Sequence, residues 1–169
     1  MGIAESVASA SAYLTDHPDE ARYRDGAATA TLEAGLSVSV IGSGGERLRT
    51  DMPSGIGGGS SAPSPGWFLR AATASCVVSL VAIRAAATGV TCAAIEATVD
   101  SESDDRGILG LDDGIPAGPL SMRIAVTIRS AADPAEIEAL VGWAVDHCPV
   151  SDAVARAVPL ELQVQAVDS

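Results

Sequence analysis

Two cysteines in different settings are the residues most able to carry chemistry in this chain. Cys76 lies in a long apolar run, and Cys148 lies in a turn between two amphipathic stretches. Read alone, a cysteine in an apolar helix is more often a small core residue than a nucleophile. Cys148 directly precedes a predicted helix, where backbone N–H groups lower the pKa of a thiol. Two such thiols can act as an attacking and a resolving cysteine if the fold brings their sulfur atoms together.

The remaining residues give little support to a metal site, a phosphate site or a hydrolytic site. His17 and His147 are isolated, and the sequence contains no Cys-x-x-Cys or His-x-x-x-His pair. We therefore expect neither a metal nor another cofactor. The glycine run 57–59 lacks the lysine and hydroxyl residue that end a phosphate-binding loop. Cys92, at the entrance to a predicted strand, is expected to be structural.

Composition and charge restrict the class of partner. The chain has 169 residues, 3% aromatic residues and a formal net charge of −12. Nucleic acids and anionic membranes both need a basic face, so neither is expected as a partner. The longest uncharged apolar stretch, 71–83, is too short to span a bilayer. An odd number of cysteines and the lack of a recognisable export signal predict a cytoplasmic protein with reduced thiols.

Hydrophobic periodicity predicts an α+β fold with antiparallel sheets. Alternating residues predict strands at 28–32, 36–41, 47–50, 94–99, 120–128 and 160–164. Helices are predicted from Pro65 to Thr88 with Ser64 as N-cap, from Asp133 onward, and from Ser151 or Asp152 to Val158. Because strands and helices do not alternate regularly, a parallel βαβ arrangement is not expected.

Two segments lie outside this regular pattern. Residues 1–26 are predicted to form a helix or an arm, and 27–169 a single domain. The segment 51–65 is too rich in glycine and proline for regular structure. Loops of this kind commonly line sites, although a plain linker remains an alternative.

The predicted helix at 65–88 has no polar face. Small hydroxyl residues and two charges, Arg70 and Arg84, interrupt an otherwise apolar surface. Such a helix must be covered on every side. A single small domain can hardly do this, so we expect a second subunit to contribute.

The sequence resembles the OsmC/Ohr family of osmotically inducible and organic-hydroperoxide-resistance proteins. The resemblance covers about residues 27–164 and is carried by two motifs: TDMP…GG…APSP…L.A..ASC, which ends at Cys76, and CPVS, which begins at Cys148. It implies an intertwined homodimer in which antiparallel sheets wrap two long central helices. It also implies thiol-dependent reduction of organic hydroperoxides. Cys76 would be the peroxidatic thiol and Cys148 the resolving thiol, reset by a dithiol reductant.

The chain departs from the peroxidase members of that family at two positions. Those members have a glutamate ten residues before the first cysteine, where this chain has Gly66. They also have an arginine in the turn after the first strand, where this chain has Glu33. An apolar helix without a nearby cation raises the pKa of a thiol. The candidates to replace the cation are Arg22, Arg24, Arg47 and Arg49, each of which is also typical of a solvated surface.

Two functional hypotheses follow. The first is a peroxidase that reduces organic hydroperoxides in oxidative-stress defence, with Met52, Trp67 and Phe68 as apolar walls of the substrate pocket. The alternative is a non-enzymatic dimeric protein that binds a small apolar ligand or senses redox state. The two cysteines favour the first hypothesis, and the missing glutamate and arginine favour the second.

Overall fold

The computed structural model describes residues 2–167, which form an α+β fold with two antiparallel sheets. The helices are α1 (Ile3–Asp16), α2 (Pro65–Thr88), α3 (Asp105–Ile108), α4 (Pro134–Asp146) and α5 (Pro149–Ala155). The strands are β1 (Ala28–Ala34), β2 (Ser37–Gly42), β3 (Arg47–Thr50), β4 (Cys92–Glu102) and β5 (Ser121–Ser130). The predicted fold class is confirmed.

The first sheet is a meander of β1, β2 and β3. Gly35 makes the first turn with a φ of +58°, a left-handed conformation in which a side chain would be strained. In the register, Val40 of β2 lies opposite Ala30 on one side and Leu48 on the other. Every residue of β1 is exposed to solvent, including Leu32 at 63%. This sheet therefore has little core of its own.

The second sheet pairs β4 with β5 and supplies one wall of the core. Residues of β5 alternate between exposed and half-buried along its whole length. The inward side chains Ile124, Val126 and Ile128 pack against the buried core. This period of two is what a strand shows when one face is covered and the other is solvated.

Helix α2 lies on this second sheet and has the boundaries that the sequence predicts. At its start the Ser64 hydroxyl oxygen accepts a hydrogen bond from the Trp67 N–H at 3.3 Å, with Pro65 at the first helical position. At its end Gly89 adopts a φ of +79°. The buried stripe repeats every four residues and consists of Thr73, Val77, Val81 and Ala85. One face of α2 is thus covered by this chain.

The opposite side of α2 is not fully covered. Ala72, Ser75 and Ser79 are exposed, although they belong to an apolar helix. By length and composition alone α2 could cross a membrane, a property that core helices of soluble proteins share. Its contacts with β4 and α4 are those of a core helix. The expected second subunit stays a prediction.

The core is formed where α2, α4 and the start of α5 meet. It contains Val77, Val81, Ala85, Leu140, Ala144 and Cys148. Helix α4 begins as predicted, because an Asp133 carboxylate oxygen accepts a hydrogen bond from the Ala135 N–H at 2.8 Å. One of the two candidate redox cysteines is therefore a core residue.

Two predictions about the C-terminal part are wrong. Residues 160–164 form no strand, and Leu160, Leu162 and Val164 are 95%, 88% and 84% exposed. Their alternating pattern needs a sheet edge, and they pair with no strand among residues 2–167. Helix α5 begins at Pro149 rather than at Ser151 or Asp152, because proline is preorganised for the first helical position.

The N-terminal segment forms a helix, as predicted. Helix α1 contacts α2 but has no buried residue. The assignment of residues 1–26 as an arm and of 27–169 as one domain stays a prediction.

Candidate redox site

Helix α2 places Cys76 at the edge of its buried stripe. Cys76 directly precedes Val77 and lies three residues after Thr73, both of which are buried. Its side chain is half-buried and packs against the core cluster. Of the two candidate thiols, Cys76 is the more accessible to solvent.

Cys148 occupies the junction of α4 and α5, where it is fully buried. It is the N-cap of α5, and its sulfur accepts a hydrogen bond from the Ser151 N–H at 3.5 Å. The Ser151 hydroxyl in turn donates to the Val145 carbonyl oxygen at 3.0 Å, which ties the turn to the end of α4. The geometry supplies hydrogen-bond donors to a sulfur that is closed off from water.

The fold brings the two thiols within interaction range, so that each shifts the pKa of the other. Burial raises the pKa of Cys76, and its hydrogen bonding to Cys148 and repulsion between the two charges raise it further. Burial alone would also raise the pKa of Cys148. Hydrogen bonds from Ser151, Cys76 and the Val150 N–H outweigh that effect and lower the Cys148 pKa on balance. The pKa of Cys148 therefore lies below, and that of Cys76 above, the ordinary value for a thiol.

The four candidate arginines are exposed, and one of them is engaged by other residues. Arg49 forms an ion pair with Glu33 and donates to the Ser37 hydroxyl at 3.3 Å. Arg47 is exposed on β3, and Arg22 and Arg24 are exposed in the segment before β1. None of the four contributes to the shifted pKa of Cys76. Among residues 2–167, the groups that shift the pKa of Cys76 are Cys148 and the Val150 N–H.

Of the three predicted pocket residues, one lines a cleft of this chain, and their role as substrate walls stays a prediction. Met52 lines a cleft beside the start of α2, together with Leu69 and Arg70. Trp67 and Phe68 do not line that cleft; their rings pack edge to face with centroids 5.1 Å apart. Trp67 is 47% exposed. The structure therefore groups Met52 with Leu69 and Arg70, which the sequence did not predict as pocket residues.

Asp51 organises the loop that leads to α2, a role that sequence reasoning missed. Its carboxylate is 3% exposed and accepts hydrogen bonds from the Ser61 N–H and hydroxyl and from the N–H groups of Met52 and Gly59. The bonds from Ser61 are the main cause that lowers the pKa of Asp51 to about 2. Gly58 is required beside it, because a side chain there would collide with the Met52 backbone. The loop 51–61 is a built structure rather than a linker.

His147 precedes Cys148 but is held in an aromatic stack. Its ring lies 4.2 Å from that of Trp143 at 14°, and its Nδ1 is 2.8 Å from the Trp143 carbonyl oxygen. The Arg84 guanidinium covers the Trp143 ring at 4.7 Å. Within residues 2–167, no three His, Cys, Asp or Glu side chains are grouped to hold a metal ion.

Comparison with known proteins agrees with this architecture. The family model of the OsmC-like proteins matches residues 57–163, which is more than half of the chain. The chain belongs to the OsmC-like family. The matched range contains both Cys76 and Cys148. No curated protein sequence matches the chain.

Solved structures with the OsmC-like fold cover most of this chain at low identity. An OsmC-like protein from Mycoplasma pneumoniae has a TM-score of 0.68 and 16% identity, covering 79% of this chain and 89% of its own. An organic hydroperoxide resistance protein from Elizabethkingia anophelis has a TM-score of 0.63 and 18% identity, with 79% and 89% covered. A putative osmotic stress induced and detoxification response protein from Psychrobacter arcticus has a TM-score of 0.61 and 22% identity, with 78% and 91% covered. At these identities the likeness shows the fold alone.

Proposed function

We propose that this OsmC-like protein reduces organic hydroperoxides with Cys76 as the attacking thiol and Cys148 as the resolving thiol, in defence against oxidative stress. The observation that carries the proposal is the interaction of a half-buried and a fully buried thiol across the α2–α5 junction. Relatives of the same fold that are described as organic hydroperoxide resistance proteins support the reaction class.

In the first step the Cys76 sulfur attacks the outer oxygen of the hydroperoxide. The O–O bond breaks, the departing alkoxide receives the thiol proton, and Cys76 is left as a sulfenic acid. We assign the relay of that proton to the neighbouring Cys148 thiolate, because Cys148 and Val150, and no arginine within residues 2–167, shift the pKa of Cys76. The peroxide is reduced to an alcohol and the Cys76 sulfur is oxidised.

In the second step the Cys148 thiolate attacks the Cys76 sulfur and expels hydroxide, which forms a disulfide. The lowered pKa of Cys148 keeps this nucleophile charged at lower pH than an ordinary thiol. An external dithiol then reduces the disulfide and is itself oxidised. A reducing cytoplasm is the compartment that suits this cycle.

The working form that we propose is a homodimer. The exposed side of α2 and the unpaired alternating residues of 160–164 are the surfaces that a second copy would cover. A shared core of this kind is typical of obligate dimers.

Consumption of cumene hydroperoxide with dithiothreitol as reductant tests the chemistry. We expect turnover by the unmodified protein and by Cys92→Ser, which changes a thiol outside the pair and serves as the matched control. Cys76→Ser should fall to the uncatalysed rate. In a separate reaction without dithiothreitol, Cys148→Ser should stop after forming a sulfenic acid that dimedone traps. Turnover by the unmodified protein no faster than by Cys76→Ser would remove the peroxidase proposal.

A second candidate function is favoured by the absence of a cation among the groups that shift the Cys76 pKa. In that case the OsmC-like dimer binds a small apolar ligand, or its thiol pair senses redox state without turnover. Formation of the Cys76–Cys148 disulfide by one equivalent of hydroperoxide, with no catalytic cycle under excess dithiol, is the result that this function predicts.

A further inference from the structure

A cleft of about 530 Å³ opens beside the first turns of α2, apart from the thiol pair. The loop 52–56 forms one side and the segment 103–119 forms the other. Its apolar walls are Met52, Ile56, Leu69, Ile108 and Leu109. Neither cysteine of the pair lines it. Its size lies within the range of small-molecule sites, which combine apolar walls with a few polar groups.

Arg70 is the cation of this cleft. Its Nη1 donates a hydrogen bond to the Ser101 hydroxyl at 3.2 Å, which fixes the guanidinium against β4. Within residues 2–167, no carboxylate forms an ion pair with Arg70. A guanidinium has five N–H donors in a planar fork, so a half-buried arginine with one protein acceptor retains donors for a ligand.

Gly66 leaves the space next to Arg70 open. It precedes Arg70 by one helical turn, and a Cβ at this position would lie 3.8 Å from the Arg70 Nη1 atom. Opposite charges four residues apart on a helix pair with each other, so a glutamate at this position would occupy the guanidinium. With glycine there, both the guanidinium and the adjoining volume are accessible from the cleft.

Neither of the two acidic residues at the rim of the cleft forms an ion pair with the Arg70 guanidinium. The Asp104 carboxylate is held by Arg106 through an ion pair and by the Arg106 N–H at 3.0 Å. Asp105 lines the cleft but is exposed to solvent, where its charge is screened. Arg70 is therefore the cationic group that a ligand inside the cleft would contact, although the chain as a whole is acidic.

We propose that this cleft binds a small carboxylic acid with an apolar body, its carboxylate held by Arg70 and its body packed against Leu69, Met52 and Ile108. Arginine and carboxylate form paired, charge-assisted hydrogen bonds that a neutral or cationic head group cannot reproduce. The inference is independent of the thiol chemistry, because it requires neither cysteine.

Isothermal titration with three probes of equal chain length, decanoate, decanol and decylamine, tests the head group. The protein should carry Cys76→Ser, so that binding is measured without any redox step. We expect decanoate to bind at least about tenfold more tightly than the other two probes, the factor that corresponds to one charge-assisted pair. Equal binding of the three probes, or no binding of decanoate, would overturn the proposal.

Variants at two positions locate the carboxylate. Arg70→Gln should weaken decanoate binding about tenfold, whereas Arg129→Gln, an exposed arginine on β5 outside the cleft, should leave it unchanged. Gly66→Glu should weaken decanoate more than the isosteric Gly66→Gln does, since only the glutamate competes for Arg70. Thermal melts check that all four variants fold. The assignment would be contradicted if Arg70→Gln and Arg129→Gln bound decanoate equally well. It would also be contradicted if Gly66→Glu and Gly66→Gln bound decanoate equally well.

Discussion

The two halves of this OsmC-like protein differ in how much of their apolar surface the chain itself covers. Around α2, α4 and the β4–β5 sheet, six apolar side chains form a closed core that includes Cys148. In the β1–β3 sheet, every residue of β1 is exposed, and the segment 160–164 has its three apolar side chains in solvent. Both regions have the alternating apolar residues that are typical of strands with one buried face. In β1 and in residues 160–164, that face is exposed.

This difference indicates that the alternating patterns of the β1–β3 sheet and of residues 160–164 need a covering surface from outside this chain. An alternating segment gains its stability from a sheet edge and a covered face, and the described part of this chain, 2–167, provides neither for residues 160–164. A second copy of the same chain is the partner that we propose. Substitutions can show whether this exposed surface stays in solvent or is covered in the assembled protein.

The largest effect is expected at the exposed tail. Replacing Leu160, Leu162 and Val164 together by Ser removes the apolar face, and each such side chain contributes about 1.5–3 kcal/mol when fully buried. We expect the dimer to dissociate to monomer in sedimentation velocity. The matched control replaces Glu161, Gln163 and Gln165 by Ser on the opposite face and should leave the dimer intact. Equal behaviour of the two triple variants would show that the tail is not an interface strand.

The next effect compares one substitution in the two halves. Leu140→Ala leaves a cavity in the closed core and should lower the free energy of unfolding by about 2–5 kcal/mol. Leu32→Ala, at a side chain that is 63% exposed, should cost less than about 1 kcal/mol in the monomer. Urea unfolding at low protein concentration measures both. A Leu32→Ala loss as large as that of Leu140→Ala would contradict the contrast between the halves.

A smaller, pH-dependent effect is expected at Asp51, in the loop that connects the halves. Because folding lowers its pKa from 3.8 to about 2, its contribution to stability is complete above pH 3.8 and is lost as pH falls through 2. The difference in unfolding free energy between the unmodified protein and Asp51→Asn should therefore shrink over that interval. Asp113→Asn, at an exposed position, is the control. A difference that is constant with pH would show that the Asp51 charge is not responsible.

The smallest effect is expected for the ion pair of Glu33 and Arg49. Both side chains are substantially exposed, so the pair should contribute about 0.2–1 kcal/mol, less at high salt. Glu33→Gln, measured by urea unfolding at low and high salt, should fall in that range. A loss well above it would mean that this edge of the first sheet is buried in the assembled protein.

Local signals in the sequence determine much of the fold. Ser64, Pro65 and Gly89 place the ends of α2, and Asp133 with Pro134 starts α4, because capping and proline geometry act over a few residues. The first three strands follow from their period of two. Family membership rests on the match of the OsmC-like family model to residues 57–163, a range that contains both Cys76 and Cys148.

Features that depend on residues far apart in the sequence were predicted wrongly or could not be predicted. The strand at 160–164 is absent, since a strand needs an edge as well as a pattern. The cleft at Arg70 could not be expected from sequence, because the 103–119 segment that closes it lies far along the chain. A signal was nevertheless present at Gly66, whose lack of a side chain leaves Arg70 open.

The sequence by itself determined which two thiols could act and that a helix start would favour ionisation of Cys148. Only the tertiary structure brought Cys76 and Cys148 close enough for each to shift the pKa of the other, with the Val150 N–H as a further influence on Cys76. The physical reason is the separation along the chain over which each effect acts. Capping and periodicity act between neighbours along the chain, whereas the approach of two sulfur atoms depends on how α2 packs against α5.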